Sequence, residues 1–189
     1  RVWGLPSPVR LQRQLRRAGV HADAAGVQVD AGGHASAADV HANAAGAQRC
    51  VLLRADWVYD DALIRGLVHA DGDIALLAPD GRPVAVNIAC AQSARAAVLL
   101  AERRMPDEAR GLTPAQLADG YNDTLRKREP PYLLPLEAHA LPAIEQRVFG
   151  GAYKGVTDLV TLYAWPRPAR WVTRLCADTG ITPNQVTSA

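Results

Sequence analysis

Three short apolar runs limit what this chain can fold into: Cys50-Val-Leu-Leu53, Ile74-Ala-Leu-Leu-Ala78 and Pro83-Val-Ala-Val-Asn-Ile-Ala89. The first two, short and without polar alternation, suit strands that are covered on both faces, and the third reads as the second arm of a hairpin. A helix-length segment, Asp60 to Val68, lies between the first two, and an alanine-rich one, Ala91 to Arg104, follows the third. Strands alternating with helices predict an α/β domain in three layers around a parallel-cored sheet. Asp80-Gly81 predicts a tight hairpin between the second and third runs. The strands near 50–54, 73–78 and 83–89 are expected to be neighbours.

The ends of this domain read in the same way. Ser7-Pro8 as cap and first turn, with Gly19 as the stop, predict a helix over 7–18 that turns Val9, Leu11, Leu15 and Ala18 to one face. Tyr132 to Leu136 reads as extended and Glu137 to Phe149 as a helix, after which Gly150-Gly151 is the expected hinge. The predicted division is therefore a domain over 1–149 and an appended segment over 150–189.

Charge follows this division. The chain has 21 basic and 19 acidic residues, and the whole excess of +2 falls after residue 149, in Lys154, Arg167, Arg170 and Arg174 against Asp158 and Asp178. A neutral domain argues against nucleic acid as a partner, and the arginines of the first helix read as a solvated face. Val20-His-Ala-Asp-Ala-Ala-Gly26 nearly repeats as Val40-His-Ala-Asn-Ala-Ala-Gly46, but two copies make no solenoid. His21, His34 and His41 with Asp23 and Asp39 match no zinc spacing and read as surface residues. Cys50, Cys90 and Cys176, odd in number and far apart, read as buried or free thiols of a reducing compartment. No run of about 18 apolar residues offers a membrane span, and no signal peptide is visible at Arg1.

The last forty residues are of another kind. Trp165 and Trp171 interleave with Lys154, Arg167, Arg170 and Arg174, as in a segment lying at a lipid headgroup boundary. Such a segment is expected to be helical over 153–177 and bent near Pro166 and Pro168. Beyond Asp178-Thr-Gly180, Thr182 suits an N-cap and Pro183 a first turn, so a further helix is expected to start there. Lys154-Gly-Val-Thr-Asp158, Trp165-Pro-Arg-Pro-Ala-Arg-Trp171 and Thr182-Pro-Asn-Gln-Val-Thr187 together resemble the approach to the CDP-alcohol phosphotransferase membrane domain. The resemblance implies a fragment that stops where the first transmembrane helix begins, on the cytoplasmic face of the membrane. It implies that Thr182, Pro183 and Asn184 lie near the cytidine diphosphate site. It further implies Mg²⁺ or Mn²⁺ held by aspartates of the membrane part, and a homodimer formed through that part.

Asp56 is the sharpest residue in the first domain. A carboxylate at the carboxyl end of a buried strand stands where open α/β sheets bind ligands, and a hard cation carrying phosphates needs one. Val51-Leu-Leu-Arg-Ala-Asp56 resembles the strand and metal aspartate of sugar-phosphate and inositol-phosphate nucleotidyltransferases. Arg1-Val-Trp-Gly-Leu-Pro-Ser-Pro-Val-Arg-Leu11 with Leu15-Arg-Arg-Ala-Gly19 resembles the segment after that family's nucleotide loop. The resemblance implies a Rossmann-like, nucleotidyltransferase-like domain ahead of a helical juxtamembrane segment. The chain departs from that pattern in three ways: the Gly-rich phosphate loop does not occur in it, Ala55 replaces the usual glycine, and only Glu137 is offered as a second carboxylate. Asp56 reads equally well as a helix N-cap or turn residue, and Lys127 as part of a solvated basic loop.

The expected parent activity is transfer of a substituted phosphate from a CDP-activated donor to an alcohol, with release of CMP, in phospholipid or polyol-phosphate synthesis. Two alternatives stand beside it: a catalytically degenerate nucleotidyltransferase-like scaffold, and a soluble sugar- or inositol-phosphate nucleotidyltransferase. Residues 1–189 alone are expected to catalyse neither reaction. A Gly-x-Ser-x-Gly elbow, a P-loop and a dinucleotide fingerprint do not occur.

Overall fold

The computed structural model describes residues 2–20, 38–44, 47–118, 121–122, 127–128, 130–152 and 166–179. Nine strands and six α-helices are assigned among them: β1 (Ala38–Ala44), β2 (Ala47–Leu53), β3 (Trp57–Tyr59), β4 (Ile74–Leu77), β5 (Pro83–Ala89), β6 (Arg110–Leu112), β7 (Tyr121–Asn122), β8 (Lys127–Arg128) and β9 (Leu133–Pro135), with α1 (Ser7–Arg17), α2 (Asp61–His69), α3 (Ser93–Ala101), α4 (Pro114–Leu117), α5 (Leu141–Ala152) and α6 (Pro166–Thr179). A five-stranded sheet runs in the order β1-β2-β5-β4-β6, while β3 pairs with β9 and β7 with β8. The fold is mixed α/β, and the three expected strands are indeed neighbours.

The sheet is not parallel-cored. β1–β2, β2–β5 and β4–β5 are antiparallel, and the parallel pair is β4–β6. The connections explain this. Asp80-Gly81 (Gly81 φ 80°) turns β4 straight back into β5, and a short reversal can only give antiparallel neighbours. A parallel pair needs a long crossover, and α3 lies on the path from β5 to β6. Continuous apolar runs show that both faces of a sheet are covered; they do not fix strand direction.

Both faces are covered here. Val51, Leu53, Ile74, Leu76 and Ala85 pack with Leu11 and Leu15 of α1 and Leu63, Ile64 and Leu67 of α2. Leu52, Ala75, Val86 and Ile88, one residue out of phase, pack with Ala96 and Leu100 of α3 on the other side. The two-residue period of a strand sends neighbouring side chains to opposite layers, so these runs are buried along nearly their whole length, with Leu77 and Ala89 half-buried at the strand ends. A third, smaller cluster joins Val2, Val58 and Ile144 near β3, β9 and α5.

One polar network crosses the sheet. Asn87 of β5, 1% exposed, donates to the Leu67 carbonyl of α2 (2.7 Å). Arg49 of β2 donates from Nε to Asn87 Oδ1 (3.0 Å), from one terminal nitrogen to Asp73 Oδ1 (2.8 Å), and from the other to the Gly72 and Asn87 carbonyls. Asp73 also accepts from the Ala89 amide (3.2 Å).

Other expectations change in detail. Ser7 is the first residue of α1 rather than its cap, which is Pro6, and the buried Ser7 Oγ has no partner among the described residues. Residues 38–44, which include the start of the second near-repeat copy, form the edge strand β1, with His41 opposite Cys50 and Asp39 opposite Leu52. His21, Asp23 and His34 lie outside the described residues. Cys50 and Cys90 are joined by a disulfide rather than being free thiols, and Cys176 is the free cysteine among the described residues. The bond is possible because β5 runs beside β2: Cys50 stands opposite Ile88, two residues short of Cys90, and sequence separation hid that proximity. Gly150 and Gly151 lie inside α5 and do not form a hinge between helices. Pro166 and Pro168 fall in the first turn of α6, where proline replaces donors that have no intrahelical partner, so no bend is needed there.

Candidate functional site

The strand end that carries Asp56 is built around a guanidinium. β2 ends at Leu53, the Arg54 amide donates to the Val84 carbonyl (3.0 Å), and the chain turns through Ala55-Asp56 into β3. Arg54 is 9% exposed. It donates from Nε to Asp56 Oδ1 (3.0 Å) and from a terminal nitrogen to Asp56 Oδ2 (2.5 Å), a two-pronged pairing with both carboxylate oxygens. Its remaining terminal nitrogen reaches the Leu100 and Ala101 carbonyls (2.9 and 3.3 Å) at the carboxyl end of α3. The guanidinium therefore caps a helix and neutralises Asp56 at once. The buried Tyr59 hydroxyl lies 2.7 Å from the Val84 carbonyl and 3.0 Å from the Arg54 carbonyl. Burial, and then the Asp56 charge, push the Tyr59 phenol well above its ordinary range.

This geometry gives Asp56 a turn role. It is not the cap of α2, because Asp60 fills that position and accepts from the Ala62 amide (2.9 Å). Both Asp56 oxygens are engaged by Arg54, and the two residues form the closest ion pair among the described residues. A divalent cation at Asp56 would have to displace a positive charge that is itself held by two carbonyls. No group of three or more His, Cys, Asp and Glu side chains suited to a metal occurs among the described residues. The residues present at Asp56 do not fit the metal ion that the nucleotidyltransferase resemblance implied there. Glu137 follows Leu136, whose amide donates to the Asp56 carbonyl (2.7 Å), but its carboxylate is engaged elsewhere. It precedes a 3-10 turn over Ala138–Ala140 and contacts His139 (3.3 Å) on the surface.

A second polar cluster, which the sequence reading missed, lies where α1 meets the start of α2. Arg10 donates to the Trp57 carbonyl (3.0 Å), and Gln14 donates to the Tyr59 carbonyl (3.0 Å) and to Asp61 Oδ1 (2.6 Å). Tyr132, beside Asp60 and Asp61, has its phenol pushed up by burial first and by those two carboxylates next. Burial lowers the Arg10 guanidinium pKa, against the charges of Tyr132, Tyr59 and Asp61. Arg10 Nε and Gln14 Oε1 are buried without a partner among the described residues. The spacing of Ser7, Arg10 and Gln14, three polar residues on one helical stripe, was the available signal.

At the other end of the chain, α6 presents Trp171 (67% exposed), Val172 (44%) and Leu175 (49%) to solvent. Arg174 reaches back to Glu145 of α5 (2.9 Å), a carboxylate only 7% exposed that also accepts the Trp3 amide (3.1 Å). Trp3 and Gly4 both have positive φ (49° and 72°) in the tight turn between Val2 and Leu5, and the Trp3 ring rests on Phe149 (6.0 Å). Arg170 is half-buried, and Arg167 lies in α6, its side chain outside the described ones. Lys154, Trp165, Thr182, Pro183 and Asn184 lie outside the described residues. No helix among the described residues is long and apolar enough to cross a membrane.

Comparison with family models, with characterised proteins and with solved structures finds no match to this chain.

Proposed function

We propose that this chain is the extramembrane part of a membrane-bound CDP-alcohol phosphotransferase, and that it supports the transfer without performing nucleotidyl chemistry itself. The observation behind the second half is the Arg54–Asp56 pair: the strand-end carboxylate that would hold a metal ion is used to bind a buried arginine. The first half rests on the resemblance of residues 153–187 and on the outward apolar stripe of α6. The parent reaction moves a substituted phosphate from a CDP-activated donor to a lipid or polyol alcohol and releases CMP. Its Mg²⁺ or Mn²⁺ belongs to the membrane part, not to Asp56.

The test compares two proteins. Residues 1–189 with CTP and Mg²⁺ or Mn²⁺ are expected to turn over nothing. The full-length parent in membranes is expected to release CMP from a CDP-activated donor, at an unchanged rate when Asp56 is Asn. CTP turnover by residues 1–189 that disappears in Asp56→Asn would make the domain a working nucleotidyltransferase. A second reading, a soluble enzyme whose last helix packs on its own domain, draws on the Arg174–Glu145 contact.

The cytoplasmic side is proposed from the resemblance. On that side the Cys50–Cys90 bond would form only after isolation, because cytosolic thiols are kept reduced. Acid quenching of cells followed by alkylation in denaturant should therefore label all three cysteines, and protection of Cys50 and Cys90 would move the domain to an oxidising compartment.

A further inference from the structure

We infer that the outward face of α6 is a docking surface for an anionic lipid bilayer, and that Trp171, Val172 and Leu175 are the residues that enter it. The inference borrows from the proposed function only the presence of a membrane.

The helix has two distinct stripes. Pro168, Trp171, Val172 and Leu175 recur at spacings of three and four and lie on one side, and all four are exposed. Arg167, Arg170 and Arg174 also recur at three and four, at sequence positions that flank the first stripe. Burying the apolar stripe in its own domain would be the ordinary outcome. Here Arg174 is instead held by the buried Glu145, which is fixed in turn by the Trp3 amide. That pairing sets the roll of the helix with its apolar side outward, so Glu145 is a positioning residue for the surface.

Two arguments choose a bilayer over a second copy of the chain. Four exposed side chains fall far short of the roughly 800 Å² per partner that a stable protein interface needs. The border of the stripe is also cationic, with three arginines against Asp178, so two copies would bring like charges together. An interfacial helix needs the opposite combination: a short apolar stripe, an aromatic at headgroup depth and positive charge alongside to meet lipid phosphates. α6 has all three.

The test uses the full 189-residue chain with phosphatidylcholine vesicles, with and without phosphatidylglycerol. Flotation should show binding that is stronger with phosphatidylglycerol and weakened by salt. The double change Trp171→Ser with Leu175→Ser should reduce it at least about tenfold, because each side chain withdrawn forfeits apolar transfer energy. Both residues are exposed, so the variant should melt like the parent chain. Brominated phosphatidylcholine should quench tryptophan fluorescence, and Trp171→Phe should lower that quenching. The inference is overturned by absence of binding to either vesicle, by unchanged binding in the double variant, or by a dimer in which Trp171 is shielded and unquenched. Failure of the parent to release CMP would sink the proposed reaction and leave this measurement untouched.

Discussion

Replacing Arg54 by Met tests the assignment of Asp56 directly. Methionine keeps most of the aliphatic stem and removes all four hydrogen bonds of the guanidinium. Asp56 is 36% exposed at its side chain, so water can resolvate it and its lost pairing is worth only about 1 kcal/mol. The two carbonyls at the end of α3 lose a charged donor, about 1.5 kcal/mol or more where no replacement exists. Leu100 retains one partner, the Arg103 amide at 3.1 Å, which limits its share. The sum is about 3 kcal/mol, or about 6–12 °C in Tm for a chain of this size. Asp56→Asn should cost about 1 kcal/mol, and combining it with Arg54→Met should add little, because the pair has already been broken. Thermal melts by circular dichroism, with and without Mg²⁺, provide the readout. A cation bound at Asp56 would raise the Tm of the parent chain and not of Asp56→Asn. That result, or an Arg54→Met variant that melts with the parent, would refute the reasoning.

Other expectations follow from single contacts. Gly66→Ala should lower stability by about 1–3 kcal/mol in urea unfolding, because its Cβ would stand 2.5 Å from the Leu117 carbonyl oxygen. The raised Tyr59 and Tyr132 phenols bind a proton in the folded state that the unfolded chain loses near its ordinary pKa of about 10. Their stabilisation is complete below that pH and falls as pH rises past it; Tyr59→Phe should flatten the alkaline slope, and an unchanged slope would contradict the assignment. Purified, oxidised protein should titrate one thiol, and reducing the bond that closes a separation of 40 residues should cost about 4 kcal/mol.

Burial was legible in the sequence where it depends on local pattern. Val51 to Leu53 and Ile74 to Leu76 were readable as two-sided strands, because a run without polar alternation suits a strand whose two layers are both filled. Asp80-Gly81 was readable because a left-handed glycine suits a tight turn. What stayed hidden depends on residues far apart in the chain. β6 is three residues long and only half-buried, so its pattern carries almost no signal. β1 is rich in alanine, and its pairing with β2 is set by register. Asp56 had the right position for a ligand group, but nothing in the local sequence shows that Arg54, two residues earlier, turns back to hold it while capping α3. At Asp56 the likeness to a nucleotidyltransferase rests on position along a strand, and there the carboxylate is taken up by Arg54.

The Arg49, Asn87 and Asp73 network also specifies alignment. Hydrophobic residues fill both faces of β2, β4 and β5, so sliding one strand by a single residue would still place apolar against apolar. The guanidinium and the buried amide do not tolerate that shift. One step of slippage would send Arg49 or Asn87 toward Leu52, Ile88 and Leu100, leaving charge and amide without acceptors, at a cost of several kcal/mol. The network thus works as a keyway: it adds little to the cohesion of the sheet, but it makes one alignment of three nearly interchangeable greasy strands far better than its neighbours.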